Sequence, residues 1–179
     1  ILTLFPEMFP GYLSQSILNK SIERGLVDIH VHNLRDWTTD RHQKMDDRPF
    51  GGGPGMVMTC QPLYDAVMAV EKMDDTPAER ILLSPQGRRL DQTIVEELAT
   101  RPRLLLIAGR YEGIDERVIE ELKPREISIG DYVLSGGELP ALALMDAITR
   151  LIPGALGHDD SAAEDSFTLH DEQGRRLLD

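Results

Sequence analysis

Apolar runs of strand length recur at residues 1–5, 27–34, 80–83, 104–108 and 127–129, and the stretches between them carry helical spacing. Leu13, Ile17, Leu18 and Ile22 mark one amphipathic helix closing at Gly25. Ile94, Val95 and Leu98 mark another opening at Asp91, a residue suited to the N-cap. Alternation of this kind predicts an α/β fold on a mostly parallel sheet with flanking helices. Over residues 138–151, Leu139, Leu142, Leu144, Met145, Ile148 and Leu151 lie around much of the circumference. That predicts a largely buried helix, packed inside the domain or at a subunit contact. From Pro153 the pattern fails: Gly154, Gly157, a polar run over 158–166 and charges over 171–176 read as a linker. The expected organisation is one domain over 1–153 and a linking segment over 154–179, with no internal repeat.

Composition narrows the classes of function. A chain of 179 residues with 41% hydrophobic content suits one core plus a trailing segment. The net charge of -12 repels a polyanion, so composition alone argues against nucleic-acid binding. Cys60 is the single cysteine, which excludes an intrachain disulfide and a thiolate zinc site and fits a reducing cytoplasm. No apolar run approaches the roughly 20 residues that cross a bilayer, so no membrane partner is expected. Because the chain starts at Ile1 and its last segment looks unfinished, residues are expected to be missing from both ends.

Three glycine-bearing loops are candidates for chemistry, at 48–55, 108–113 and 128–140, and the last two each follow an expected strand. Ligands of open α/β sheets bind beyond the carboxyl ends of the strands, where glycine lets a molecule approach the backbone. Each loop alone also reads as a tight turn. Neither the P-loop spelling nor the dinucleotide fingerprint is present, so a nucleotide-dependent enzyme is disfavoured and an adenosine-like ligand without phosphates fits better. His30 and His32 share a strand face with no acidic or sulfur partner at ligand spacing and, like His42, read as structural or surface residues, so no metal site is assigned. Arg41, His42, Lys44 and Arg48 form the one basic cluster, suited to phosphate contacts or to a solvated loop.

The string Ser128-Ile129-Gly130-Asp131-Tyr132-Val133-Leu134-Ser135-Gly136-Gly137-Glu138-Leu139-Pro140, with Gly109-Arg110-Tyr111-Glu112-Gly113-Ile114-Asp115-Glu116-Arg117, resembles the bacterial tRNA (guanine-N1)-methyltransferases of the SPOUT superfamily. Leu4-Phe5-Pro6-Glu7-Met8-Phe9, Asp46-Asp47-Arg48-Pro49 and Leu83-Ser84-Pro85-Gln86-Gly87 match as well, and the likeness runs from Ile1 to about Phe167. The resemblance implies methyl transfer from S-adenosylmethionine to N1 of guanosine 37 in tRNA, by a cytoplasmic homodimer with active sites completed across the interface. It also implies a deep trefoil knot, where pattern reasoning alone gives an open doubly wound sheet.

By the same resemblance the cofactor is lined by Leu83, Ser84, Pro85, Gly109, Gly113, Ser128, Ile129, Gly130, Tyr132, Leu134, Gly136, Gly137 and Pro140. Asp165 matches the general base that takes the proton from guanine N1, and Arg150 the cation that steadies charge on O6. Glu112 matches a residue that positions the target. A magnesium ion is attributed to the family, and spacing locates no site for it here. Read without the resemblance, Arg150 is a cation at a helix end and Asp165 a solvated linker acid. A SPOUT-like domain that binds without turnover is the rival, disfavoured by intact Arg150 and Asp165. After Phe167, residues 168–176 look like an insertion before Leu177-Leu178-Asp179, and the small helical tRNA-binding domain expected afterwards lies outside this chain.

Overall fold

The run Leu104-Leu105-Leu106-Ile107-Ala108 is apolar at every position because it lies mid-sheet with both faces covered. In the computed structural model, which describes residues 1–49, 51–156, 166–167, 173 and 176, it forms strand β6 (Leu104–Ala108). The other sheet strands are β1 (Leu2–Thr3), β2 (His32–Asn33), β5 (Glu79–Arg89) and β7 (Arg125–Ser128). All pair in parallel, in the order β2-β1-β6-β5-β7. A short antiparallel ribbon, β3 (Asp46–Asp47) and β4 (Val57–Met58), stands apart.

Alternation along the strands sends side chains to two separate cores. Leu82, Leu105 and Ile107 join Leu63, Val67 and Val70 of α3 (Cys60–Glu71) and Val118 and Leu122 of α5 (Glu116–Leu122). Ile81, Leu83 and Leu106 join Ile94 and Leu98 of α4 (Gln92–Ala99) and Ala141 and Leu144 of α6 (Glu138–Arg150) on the other side. Helices α1 (Pro10–Leu13) and α2 (Ser16–Glu23) follow β1, and α2 packs on α6. The expected α/β sheet with flanking helices is therefore the one observed.

Several boundaries differ for physical reasons. Only His32 and Asn33 of the run 27–34 pair as strand, since β2 is an edge with one neighbour and the chain meets it late, at His32 N donating to Ile1 O at 2.8 Å. The run 1–5 pairs over two residues before Pro6 opens a 3-10 turn, Pro6–Met8. β5 extends well past Leu83, through Ser84 to Gly87, which reads as a loop in sequence. There β7 shifts register, so that Ile127 faces both Leu83 and Arg88. Gly87 makes this possible: a Cβ there would stand 2.8 Å from Glu126 O. In α6, Leu144 and Met145 are buried but Leu139 is 53% exposed, because apolar residues spread around a helix cannot all face one sheet. Asp91 caps α4 as expected, its Oδ1 accepting from Ile94 N at 2.9 Å. Beyond α6, Arg176 reaches back to α4 and pairs with Glu96 at 2.7 Å.

Candidate active site

The stretch 84–86 within β5 and the loops that leave β6 and β7 at their carboxyl ends converge, and glycine sets how closely. Gly137 N donates to Gly109 O at 2.9 Å, and Gly136 bridges Arg110. Ser128 Oγ donates to Gly130 O at 2.9 Å, which turns the chain out of β7. Between these loops lies a cavity of about 360 Å³, inside the range of small-molecule sites. All thirteen residues expected around the cofactor line it, and Glu112 does too. Tyr132, Val133 and Leu134 form its outer wall, and Val133 is 84% exposed.

Sequence reasoning overlooked the electrostatics of this cavity. Glu112, Glu116 and Glu126 line it, whereas Arg110 is the single lining cation among the described residues and is paired with Glu138 at 2.9 Å. Such a wall repels phosphates and favours an uncharged or cationic ligand. Spacing could have placed Glu116, which follows the Glu112 loop, but Glu126 enters only through the register shift of β7.

The loop 109–115 leans on the ribbon: Glu112 N donates to Met56 O and Met58 N to Gly113 O, both at 2.9 Å. Gly55 faces the Glu112 side chain so closely that a Cβ would overlap it. The basic cluster flanks β3, with Arg41, His42 and Lys44 before it and Arg48 after it. Asp40 Oδ2 accepts from His42 N and Lys44 N at 2.7 and 3.0 Å, and these bonds hold its carboxyl below the usual carboxylate range. Burial and the nearby Asp46 push the Tyr111 hydroxyl above its ordinary value.

The expected catalytic pair is not brought to the cavity by the described residues. Arg150 ends α6, ten residues after Pro140, a rise of about 15 Å along the helix. Asp165 lies outside the described residues. The histidines differ from expectation in one respect: His30 does have an acidic partner, Asp28, at 2.8 Å. Its ring also stacks on His32, with centroids 6.3 Å apart. Among the described residues no three His, Cys, Asp or Glu side chains gather as a metal site.

Fold and site together define an α/β enzyme domain whose crevice, at the carboxyl edge of a parallel sheet, suits a small ligand without phosphates. The sequence model of tRNA (Guanine-1)-methyltransferase TrmD matches residues 1–178. The tRNA (guanine-N(1)-)-methyltransferase of Rhodopirellula baltica is 55% identical over 180 residues, covering 100% of this chain and 73% of its own length. That of Pseudomonas putida is 58% identical over 168 residues, covering 94% and 67%. The crystal structure of tRNA (m1G37) methyltransferase from Aquifex aeolicus superposes with a TM-score of 0.80 at 39% identity, covering 88% of this chain and 70% of that one. The chain belongs to the tRNA (guanine-1)-methyltransferase family. Net charge therefore misleads as an argument against nucleic acid, because it averages over the whole surface.

Proposed function

We propose that this chain methylates N1 of guanosine 37 in tRNA, with S-adenosylmethionine held in the cavity between β5 and the loops after β6 and β7. The observation that carries this reading is an acid-lined crevice built from the residues the family spelling singles out. Bound S-adenosylmethionine supplies an electrophilic methyl on a sulfonium, and the acidic wall suits that charge. Guanine N1 carries a proton, so it needs a base before it can attack. Asp165 accepts that proton, and the Arg150 guanidinium donates to O6 as negative charge gathers there. Glu112 lines the cavity and positions the target base. The family's magnesium ion has no ligand cluster among the described residues, and no step is assigned to it.

The domain over 1–153 holds the cofactor, and 154–179 links it to a part that grips tRNA. β7 pairs with β5 on both sides of the register shift, and Gly137 then returns to Gly109, which supports the threaded backbone of SPOUT enzymes. The active unit is a homodimer: Phe5, Met8, Tyr12 and Leu139 leave apolar surface exposed on the side where Tyr12 bonds Asp146 of α6. A partner supplies Arg150, which its own cavity does not receive. No helix among the described residues is long and apolar enough to cross a membrane, and we place the protein in the cytoplasm with its tRNA.

The test is nucleoside mass spectrometry after incubation with tRNA and S-adenosylmethionine. We expect 1-methylguanosine in tRNA carrying guanosine 37 and none when adenosine replaces it. Absence of 1-methylguanosine, or its formation in both, overturns the reading.

A further inference from the structure

Glu138, the first residue of α6, has no exposed surface, yet it is a carboxylate. Its Oε1 accepts from Thr3 Oγ1 at 2.8 Å, which ties it to the buried strand β1. Its Oε2 lies 2.9 Å from Arg110 Nε without the N–H pointing at it, so neither of these buried atoms completes a hydrogen bond. Burying such a pair does little for stability, since well-packed apolar residues would serve as well. What the pair supplies is direction.

The guanidinium of Arg110 lies over the Phe5 ring at 4.4 Å and donates from Nη1 to Ser135 O at 3.1 Å. Arg110 belongs to the loop after β6 and Ser135 to the loop after β7, and both loops line the cavity. Gly136 is small because the pair occupies its side-chain space: a Cβ there would overlap both Arg110 and Glu138. A single buried charge thus sets the guanidinium that spans the two walls.

We propose that Glu138 is a positioning residue for cofactor binding, whose buried carboxylate fixes Arg110 and through it the two loops that enclose the cofactor. The inference rests on the cavity being the cofactor site, so binding of S-adenosylhomocysteine by the unaltered protein is measured first. No binding there defeats the cofactor reading itself. Given binding, Glu138→Gln keeps the shape and the acceptor for Thr3 but removes the charge. We expect the dissociation constant for S-adenosylhomocysteine and the KM for S-adenosylmethionine to rise about 10-fold. The KM for tRNA and kcat at saturating cofactor should stay within about twofold, a split that general loosening would not give. In the intact protein, Arg110→Gln with Glu138→Gln should bind no more weakly than Arg110→Gln alone, because both act through one contact. Should Glu138→Gln fail to fold, Thr3→Val removes the bond that aims the carboxylate without changing charge, and several-fold weaker binding is expected from it. Unchanged affinity in the folded variant, or losses that add, overturns the proposal.

Discussion

At position 137 the backbone φ of -82° is open to any residue, so its glycine is there for space. A Cβ would stand 2.7 Å from Ala108 Cα and 2.9 Å from Gly109 N, and backbone cannot step aside as a side chain can. Gly137→Ala should cost about 1–3 kcal/mol of stability through overpacking. It should also weaken S-adenosylhomocysteine binding about 10-fold by pushing the loop off β6. An alanine variant with unaltered calorimetric affinity would show that the close approach does not shape the cavity. Arg150→Ala and Asp165→Ala should do the reverse, lowering turnover about 100-fold or more while sparing cofactor affinity, because their roles belong to the transition state. Equal loss of binding in both would refute the roles. The loop residues were legible in sequence because their spelling is distinctive. Glu138 was not: an acid at the start of a helix reads as a solvated partner of the macrodipole, and only Thr3, 135 residues away, shows it to be buried.

Among elements, β6 and α4 were legible because each carries an undisturbed local signal, an apolar run in one and a capping Asp91 in the other. In α3 the period was present at Leu63, Ala66, Val67 and Val70, but Thr59 makes no side-chain cap bond and Pro62 reads as a break. A proline in the first turn forfeits no helical bond, so the helix forms regardless. Its far end is secured by Arg80 of β5, whose Nε and Nη2 donate to Glu71 at 2.6 and 2.7 Å while Nη1 donates to Leu122 O at 2.8 Å. The Arg80 guanidinium holds the Glu71 carboxyl below the usual carboxylate range. A carboxyl lowered by folding stabilises at neutral pH, and that stabilisation is lost as pH falls through its folded value. Glu71→Gln should therefore cost about 1 kcal/mol at neutral pH. The deficit should shrink at acid pH, as pH falls through the lowered folded value and the carboxylate protonates in both states. Urea unfolding at the two pH values measures this, and an equal deficit at both would exclude the ion pair as its cause.

The whole molecule poses a problem that neither residues nor elements do: a body of charge -12 must receive a polyanion. Arg41, His42, Lys44 and Arg48 flank the ribbon strand β3, whose partner β4 is bonded to the crevice loop through Met58. Arg150, by contrast, stands at the far end of a 13-residue helix from Pro140, and a composite site reconciles the two. In a two-fold dimer each cavity would then use its own loops and the partner's Arg150. This arrangement makes a prediction that a self-contained protomer cannot meet. One variant carries Gly137→Ala and Glu112→Ala, which damage the cavity, and the other carries Arg150→Ala. Alone, each should be nearly inactive. Unfolded together and refolded, half the dimers should be hybrids, and in each hybrid one cavity is intact and faces an intact Arg150. Activity should recover to about a quarter of the unaltered level, since one site in two works in one dimer of two. If Arg150 serves its own cavity, every hybrid protomer still lacks one part, and the mixture should stay as inactive as its components.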